Sequence, residues 1–397
     1  MSEWQHVTLG DLLTRVRRKV AVEDGVTYPA VSVQMYGRGL GDKEPFVGGV
    51  SKYTTLNVVR ENDVVLRTIT AFEAPAGVAK AEHDGTHVSG VFITYEVRQT
   101  VLPDFLGLVF QAPAFWDEMR NRASGTVLRR KTISDDSFRA IPLALPPLPM
   151  QERIVEVIGA VDDHIAALGG ESEVLERVSM AVAEDLLSNE PIVALGTILD
   201  DIQGGRSPQA NTSPPGADEF GVLKVSAVMP FRFLPEESKA LLPGTSMPKS
   251  ALVQPGDVLI TRANTPLRVG AVARVPADVR NGLYLADKTL RLAPSSKLDP
   301  NFLVVAMALK SARMHLTSSA TGTSASMVNV SQNRIRETPI PLPGLDRQQE
   351  VASAVLSVRV NADAARAEVA SLRRVRACLL SGLLDRTIDL ESGDLEV

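Results

Sequence analysis

The sequence predicts an α+β protein built as a tandem repeat. Two mixed α/β globular domains are each followed by a long helix, and the two helices pair as an antiparallel coiled coil. Three observations predict this. The forty residues from Ser124 to Asp163 align without a gap on Thr321 to Val360, at an offset of 197 residues. A 3.5-residue apolar period begins after each copy of this segment. Short β-branched and aromatic runs, separated by turn residues, precede each copy.

In the aligned segment Gly125 meets Gly322, Ser134 meets Ser331, Arg139 meets Arg336, Pro146 meets Pro343 and Gln151 meets Gln348. Weaker echoes lie upstream: HVTLGDLL from His6 matches IVALGTIL from Ile192, and ENDVVLRT from Glu61 matches PGDVLITR from Pro255. The upstream offsets are smaller, so the loops differ in length between the copies. A period of this size is far too long for a solenoid and indicates a duplicated domain. The resulting layout is a first domain over 1–149, a helix over 150–188, a second domain over 189–346, a helix over 347–386 and an acidic tail over 387–397.

Within the domains, VTYPAVSVQM, NDVVLRT, GVFITYEV, FGVLKVSAV, DVLITR and KTLRLAP read as strands. DFLGLVFQAPAFWDEMR and NFLVVAMALKSARMHL read as helices, with Asp104 and Asn301 as N-cap candidates and Asp299-Pro300 as a further start signal. The proline-rich junctions PLALPPLP and TPIPLPGLD are expected to resist both helix and sheet.

The seam of the first long helix runs through Ile154, Ile158, Val161, Ile165, Leu168, Ser172, Leu175, Ser179, Val182 and Leu186. That of the second runs through Val351, Val355, Val358, Ala362, Ala365, Val369, Leu372, Arg376, Leu379 and Leu383. Each helix would span roughly 55 Å, more than one DNA turn of about 34 Å. Gly169-Gly170 is expected to interrupt or kink the first.

The net charge of −5 argues against an overall basic protein. Charge is unevenly placed, however. The tail from Asp385 is acidic and expected to be solvated or disordered, whereas Arg120, Arg122, Arg129, Arg130 and Lys131 form a basic stretch. Arg15, Arg17, Arg18 and Lys19 form another, expected as the solvated face of an amphipathic helix. The single cysteine, Cys378, excludes an intramolecular disulfide and a cysteine zinc site, fits a reducing cytoplasm, and is expected as a buried thiol. No signal-peptide pattern or long apolar run points to export or a membrane.

Catalytic motifs are missing. There is no GxxxxGK[ST] loop and no Asn/Asp-Pro-Pro-aromatic methyltransferase motif; Asn264-Thr265-Pro266-Leu267 comes nearest. The glycines from Gly37 to Gly41 read as a flexible loop, not a dinucleotide turn. His83, Asp84 and His87 read as flanking a tight Asp84-Gly85 turn, not as metal ligands. His6, His164 and His315 are isolated. The expectation is a chain that is not an enzyme and binds no cofactor or metal.

The junctions IPLALPPLPMQERIVEVI and TPIPLPGLDRQQEVASAV, with LITRAN, FGVLKVSAV and YPAVSVQMYGRGLG, resemble the type I restriction–modification specificity (S) subunit family from Trp4 to about Leu384. Pro149-Met150 and Gly344 depart from the family's junction pattern. The resemblance implies two target recognition domains, each reading half of a split site in double-stranded DNA. It implies helices that set the gap and dock DNA adenine methyltransferase subunits. S-adenosylmethionine, and ATP with Mg, would belong to the methyltransferase and to a restriction/translocase subunit. Other readings are an assembly adaptor, or a DNA-recognition subunit of another phage-defence complex.

Base readout needs Arg or Lys for guanine and Asn or Gln for adenine, and phosphates need cationic and hydroxyl groups. The expected DNA contacts are therefore Tyr36, Arg38, Arg67, Arg129, Arg130 and Lys131 in the first domain. In the second they are Arg206, Arg262, Asn264, Ser324 and Asn329. Arg373, Arg374 and Arg376 are expected to support the helix pair or meet an acidic partner surface.

Overall fold

The computed structural model describes residues 4–126, 131–324 and 327–390. The chain forms two compact units, residues 1–168 with 367–397, and residues 169–366. Each unit combines a sheet-rich domain with one stretch of each long helix.

The first unit is built on a four-stranded antiparallel sheet in the order Leu13–Val16, Phe92–Val97, Val64–Arg67, Ala76–Val78. Val64, Val65 and Leu66 are all fully buried, because both faces of this sheet are covered. Val64 and Leu66 face a core with Phe105, Phe110 and Phe138. Val65 faces a second core with Val31, Val33 and Val88. A strand buried on both sides reads as a continuous apolar run, not as an alternation. The second core is closed by a five-stranded sheet in the order Lys19–Ala21, Thr55–Val58, His87–Val88, Thr27–Val33, Leu40–Val47.

The second unit repeats the four-stranded sheet in the same spatial order: Leu199–Gly204, Thr289–Pro294, Val258–Thr261, Val272–Arg274. Val258 and Ile260 point into one core and Leu259 into another. Its covering sheet is smaller, with three strands, Ser238–Ala240, Gly221–Leu223 and Leu283–Tyr284. The duplicated sheet explains why the upstream echoes centred on NDVVL and GDVLI.

Several expectations change. The segment after Leu102 forms two helices, Pro103–Val109 and Pro113–Arg122, each opened by a proline; Asp104 is not the cap. In the second unit Asp299 is the cap: its Oδ1 accepts the Asn301 and Phe302 N–H groups, both at 2.9 Å. Asn301 instead accepts from Arg274. The proline junctions form strands after all. Pro142–Leu145 pairs with Gln5–Thr8, and Pro339–Pro341 with Ile192–Ala194. Each is a two-stranded ladder in which both strands are edges, where a missing N–H is tolerated. Arg15 and Lys19 lie in strands, with Arg17 and Arg18 linking them, not on a helix. The acidic tail begins as packed chain: Ile388 and Leu390 join the first core, and the Ile388 N–H donates to Gly382.

The long helices are Leu148–Leu186 and Leu345–Leu384, and the first runs unbroken through Gly169-Gly170. They pair antiparallel. In the first unit Arg376 grips Asp162 through two bonds of 2.5 and 2.7 Å, and Leu380 and Leu383 pack with Ile154 and Ile158. In the second, Ser172 donates to the Ala362 carbonyl at 3.0 Å, and Arg359 reaches Ser179 at 3.4 Å. Rising numbers on one helix therefore meet falling numbers on the other. Arg359 also stacks over Phe231 at 3.8 Å, tying a turn of the second domain to the helices. Burial holds the Arg359 guanidinium below its ordinary pKa. The predicted seam is followed up to Ser179. From there Ala183 and Leu187 are buried and Val182 is exposed, because this end packs on the domain core around Leu195, which the 3.6-residue period serves. Cys378 is exposed, not buried.

Each long helix is bolted to its own domain by a buried glutamine. Gln151 accepts the Leu102 N–H at 2.8 Å and donates to the Thr100 and Pro146 carbonyls at 3.3 and 2.8 Å. Gln348 accepts the Asp299 N–H at 2.8 Å and donates to the Lys297 and Pro343 carbonyls at 3.0 and 2.9 Å. Every partner is displaced by the same 197 residues that relate the glutamines. Replacing Gln348 with Leu leaves a half-buried N–H and two carbonyls without this partner. We expect a stability loss of about 2 kcal/mol, measured as a lower urea midpoint for the full chain.

Candidate nucleic-acid interface

In the second unit the backbone brings the predicted residues to one end of the four-stranded sheet. The strand Val258–Thr261 continues into Arg262 and then Ala263–Asn264. This short strand pairs with Met327–Asn329, which in turn pairs with Thr321–Ser324. Arg262, Asn264, Asn329 and the backbone of Ser324 thus share one small sheet. Asn329 is exposed and Arg262 half-buried. Asn264 Oδ1 accepts the Thr265 N–H at 2.8 Å, which fixes the amide, and among the described residues its N–H₂ has no acceptor.

The loop carrying Arg206 joins this cluster. Arg206 donates its backbone N–H to Leu285, and neighbouring Ser207 bonds Asp287. The next residue, Lys288, accepts the Arg262 N–H at 2.9 Å and places its ammonium 3.5 Å from the Met327 sulfur. Lys288 therefore belongs to the cluster, although KTLRLAP signalled only a strand. The Arg206 loop lies so close to Leu285 that a Cβ at Gly205 would sit 1.8 Å from its carbonyl oxygen.

In the first unit the residues gather around the turn Thr70–Ala74. Tyr36 donates its N–H to the Glu73 carbonyl at 2.8 Å, Arg67 pairs with the Glu73 carboxylate at 3.5 Å, and Ala71 donates to the Lys131 carbonyl at 3.1 Å. Thr132 bridges both Ile69 and Ser124, as Asn329 bridges Ala263 and Thr321. Tyr36, Thr70 and Ala74 all hold positive φ, of 57°, 57° and 47°. Such strained backbone persists only where its surroundings over-determine it, and it concentrates at functional sites.

Arg38 stands apart from this turn. It is exposed, donates to the Met35 carbonyl at 3.2 Å, and lines a groove with Lys80, Arg373 and Arg376. Arg129 and Arg130 lie outside the described residues, as does the Ser324 side chain.

The glycine loop is packed, not flexible. Gly37 has φ of 67°, and a Cβ there would lie 2.2 Å from the Phe110 carbonyl oxygen. Trp116 donates to that same oxygen at 2.8 Å and stacks edge-on with Tyr36 at 5.1 Å.

The side chains gathered here are cations, amides and hydroxyls. That set suits hydrogen bonding to bases and phosphates. Among the described residues no group of three or more His, Cys, Asp or Glu is placed to hold a metal. His83 Nδ1 accepts the Lys80 N–H, Asp84 accepts the Glu61 N–H, and His87 Nδ1 lies 3.0 Å from the Pro29 carbonyl, so the three side chains turn to different partners.

A duplicated α+β unit, with one loop cluster at the end of each copied sheet and an antiparallel pair of long helices, defines the class of fold. A family model described as "Type I restriction modification DNA specificity domain" matches residues 1–177. The chain is 28% identical over 198 residues to the Type I restriction enzyme EcoEI specificity subunit of Escherichia coli. That match covers 49% of this chain and 33% of the relative, so the chain spans about a third of the relative's length. Over 96% of this chain and 96% of the other, the fold matches the S subunit of a type I restriction–modification system from M. genitalium, with a TM-score of 0.53 and 13% identity. A second solved structure, described as the basis of complex assembly and conformational transition of the type I R-M system, matches with a TM-score of 0.54 and 17% identity, over 96% and 97% of the two chains. The match over residues 1–177 to the type I specificity domain agrees with the resemblance carried by the first junction segment, and the two solved structures share the fold over nearly the whole chain.

Gly37→Ala should push the 34–39 loop off Phe110. We expect loss of Tyr36–Trp116 packing, seen as a change in near-ultraviolet circular dichroism, and a lower melting temperature, because both φ and space require glycine.

Proposed function

We propose that this chain is the sequence-reading, non-catalytic subunit of a type I restriction–modification assembly. The domains over 1–149 and 189–346 each contact one half of a split site in double-stranded DNA. The helices over 150–188 and 347–386 set the gap and dock DNA adenine methyltransferase subunits. These partners would bring S-adenosylmethionine, and a restriction/translocase subunit would bring ATP and Mg.

The observation that carries this reading is the repeated loop cluster. The same strand order in both units lines up equivalent segments, and each set presents Arg, Lys or amide groups at the sheet end. Rigid strands hold the loops while the loops supply the chemistry. Arg262 and Asn264 offer a guanidinium and an amide two residues apart at the end of one strand, suited to guanine and adenine edges in a major groove. The overall charge of −5 does not oppose this, since binding follows local potential.

Methylome sequencing of the source cell with and without this gene tests the proposal. Loss of adenine methylation at one split motif is the expected result, and an unchanged methylome would count against it. A second experiment separates the heads. Arg262→Ala with Asn264→Ala should relax methylation at the second half-site only, with discrimination falling by about 1–3 kcal/mol per lost base contact. Equal relaxation of both halves would contradict the assignment of one unit to each half.

A further inference from the structure

The basic run near the N-terminus acquires a role from its position in the folded first unit. Arg15, Arg17 and Lys19 line one side of a 300 Å³ groove, with Thr55, Asn57 and Thr94 contributing polar groups and no carboxylate among its lining residues. The cations differ in their partners. Arg15 is paired with Asp135 at 2.9 Å. Arg18 is absorbed by Asp63 and Glu96, both at 2.6 Å. Arg17 and Lys19 are exposed, and among the described residues neither makes an ion pair or a side-chain hydrogen bond.

The strand register then relates this groove to the second unit. Phe92 pairs with Arg67 as Thr289 pairs with Thr261. Thr94 pairs with Val16 as Arg291 pairs with Gln203. Val16 and Gln203 are therefore equivalent, and a cation follows each by three residues: Lys19 in the first unit and Arg206 in the second. The groove is also continuous with the first unit's cluster. Gly90 and Phe92 line it, Thr68 donates to the Val91 carbonyl at 3.0 Å, and Ile133 donates to Thr68 at 2.9 Å, one residue from Thr132 and two from Lys131.

We propose that Arg17 and Lys19 form a phosphate-binding flank of the first unit's DNA face, contacting the phosphodiester backbone and not the bases. This rests on the DNA-reading function proposed above. Two unpaired cations, on a groove free of carboxylates and beside a base-reading cluster, are suited to position the duplex without reading its sequence.

The test is duplex binding by the full chain with its methyltransferase subunits, using a labelled mixed-sequence duplex across a salt series. Each lost phosphate contact lowers the slope of log K against log salt by roughly 0.9. Arg17→Ala with Lys19→Ala should reduce the slope by about 1.8, while the methylated motif stays the same. Arg17→Lys with Lys19→Arg should restore the slope. Lys239→Ala with Lys297→Ala, which removes the same charge from exposed positions of the second unit, should leave it unchanged. An unaltered slope in the first variant overturns the flank while leaving the DNA reading intact. So does an equal drop in the Lys239/Lys297 control, which would reduce the effect to net charge. Absence of salt-dependent duplex binding by the unaltered complex overturns both.

Discussion

Gln151 and Gln348 sit where each globular domain hands over to a long helix. Each uses its whole amide there, with the oxygen on the first turn of a domain helix and the N–H₂ on a preceding loop and the proline junction. A helix beginning directly after prolines has no intrinsic direction. Three hydrogen bonds from one buried side chain supply it, and a buried amide left unpaired would be costly enough to penalise other angles. The loop clusters can be placed only because the domain is fixed to its helix, and the antiparallel helix pairing can hold only because both helices leave their domains in a defined direction.

A second constraint acts inside each domain. The central strands Val64–Arg67 and Val258–Thr261 are buried on both faces, so their register cannot slip without driving an apolar face outward. Rigid strands of this kind end in Arg67 and in Arg262–Asn264. The loops beyond inherit the fixed geometry, and close approaches at Gly37 and Gly205 press them onto the domain. Strain at Tyr36, Thr70 and Ala74 is tolerated because three separate segments hold that turn.

Charge follows the same logic. The chain is acidic overall, yet its cations are sorted by partner. Arg18 and Arg376 are consumed by carboxylates and act as structural ties; burial keeps the Asp63 carboxyl above its usual range even beside Arg18. Among the described residues Arg17, Lys19 and Lys131 meet no carboxylate, and they lie along one end of the first sheet. A sum over the sequence cannot separate the two kinds, since the difference is which cation has a carboxylate within reach.

By itself the sequence determined the duplication, the sheet-then-helix layout and most of the helical seam. These depend on local periodicity and on a gapless internal match, which survive without knowledge of contacts. It misjudged the proline junctions, the basic run from Arg15 and the last turns of the first seam, because each is decided by a distant partner: Gln5–Thr8, the strand Phe92–Val97, and the core around Leu195. Only the tertiary structure decided which polar residues share a surface. Asn264 and Asn329 are far apart in the chain and meet by strand pairing, and Val16 and Gln203 are equivalent by register alone. Strand pairing is non-local, so the composition of a loop cluster is fixed by the sheet beneath it and not by the residues on either side.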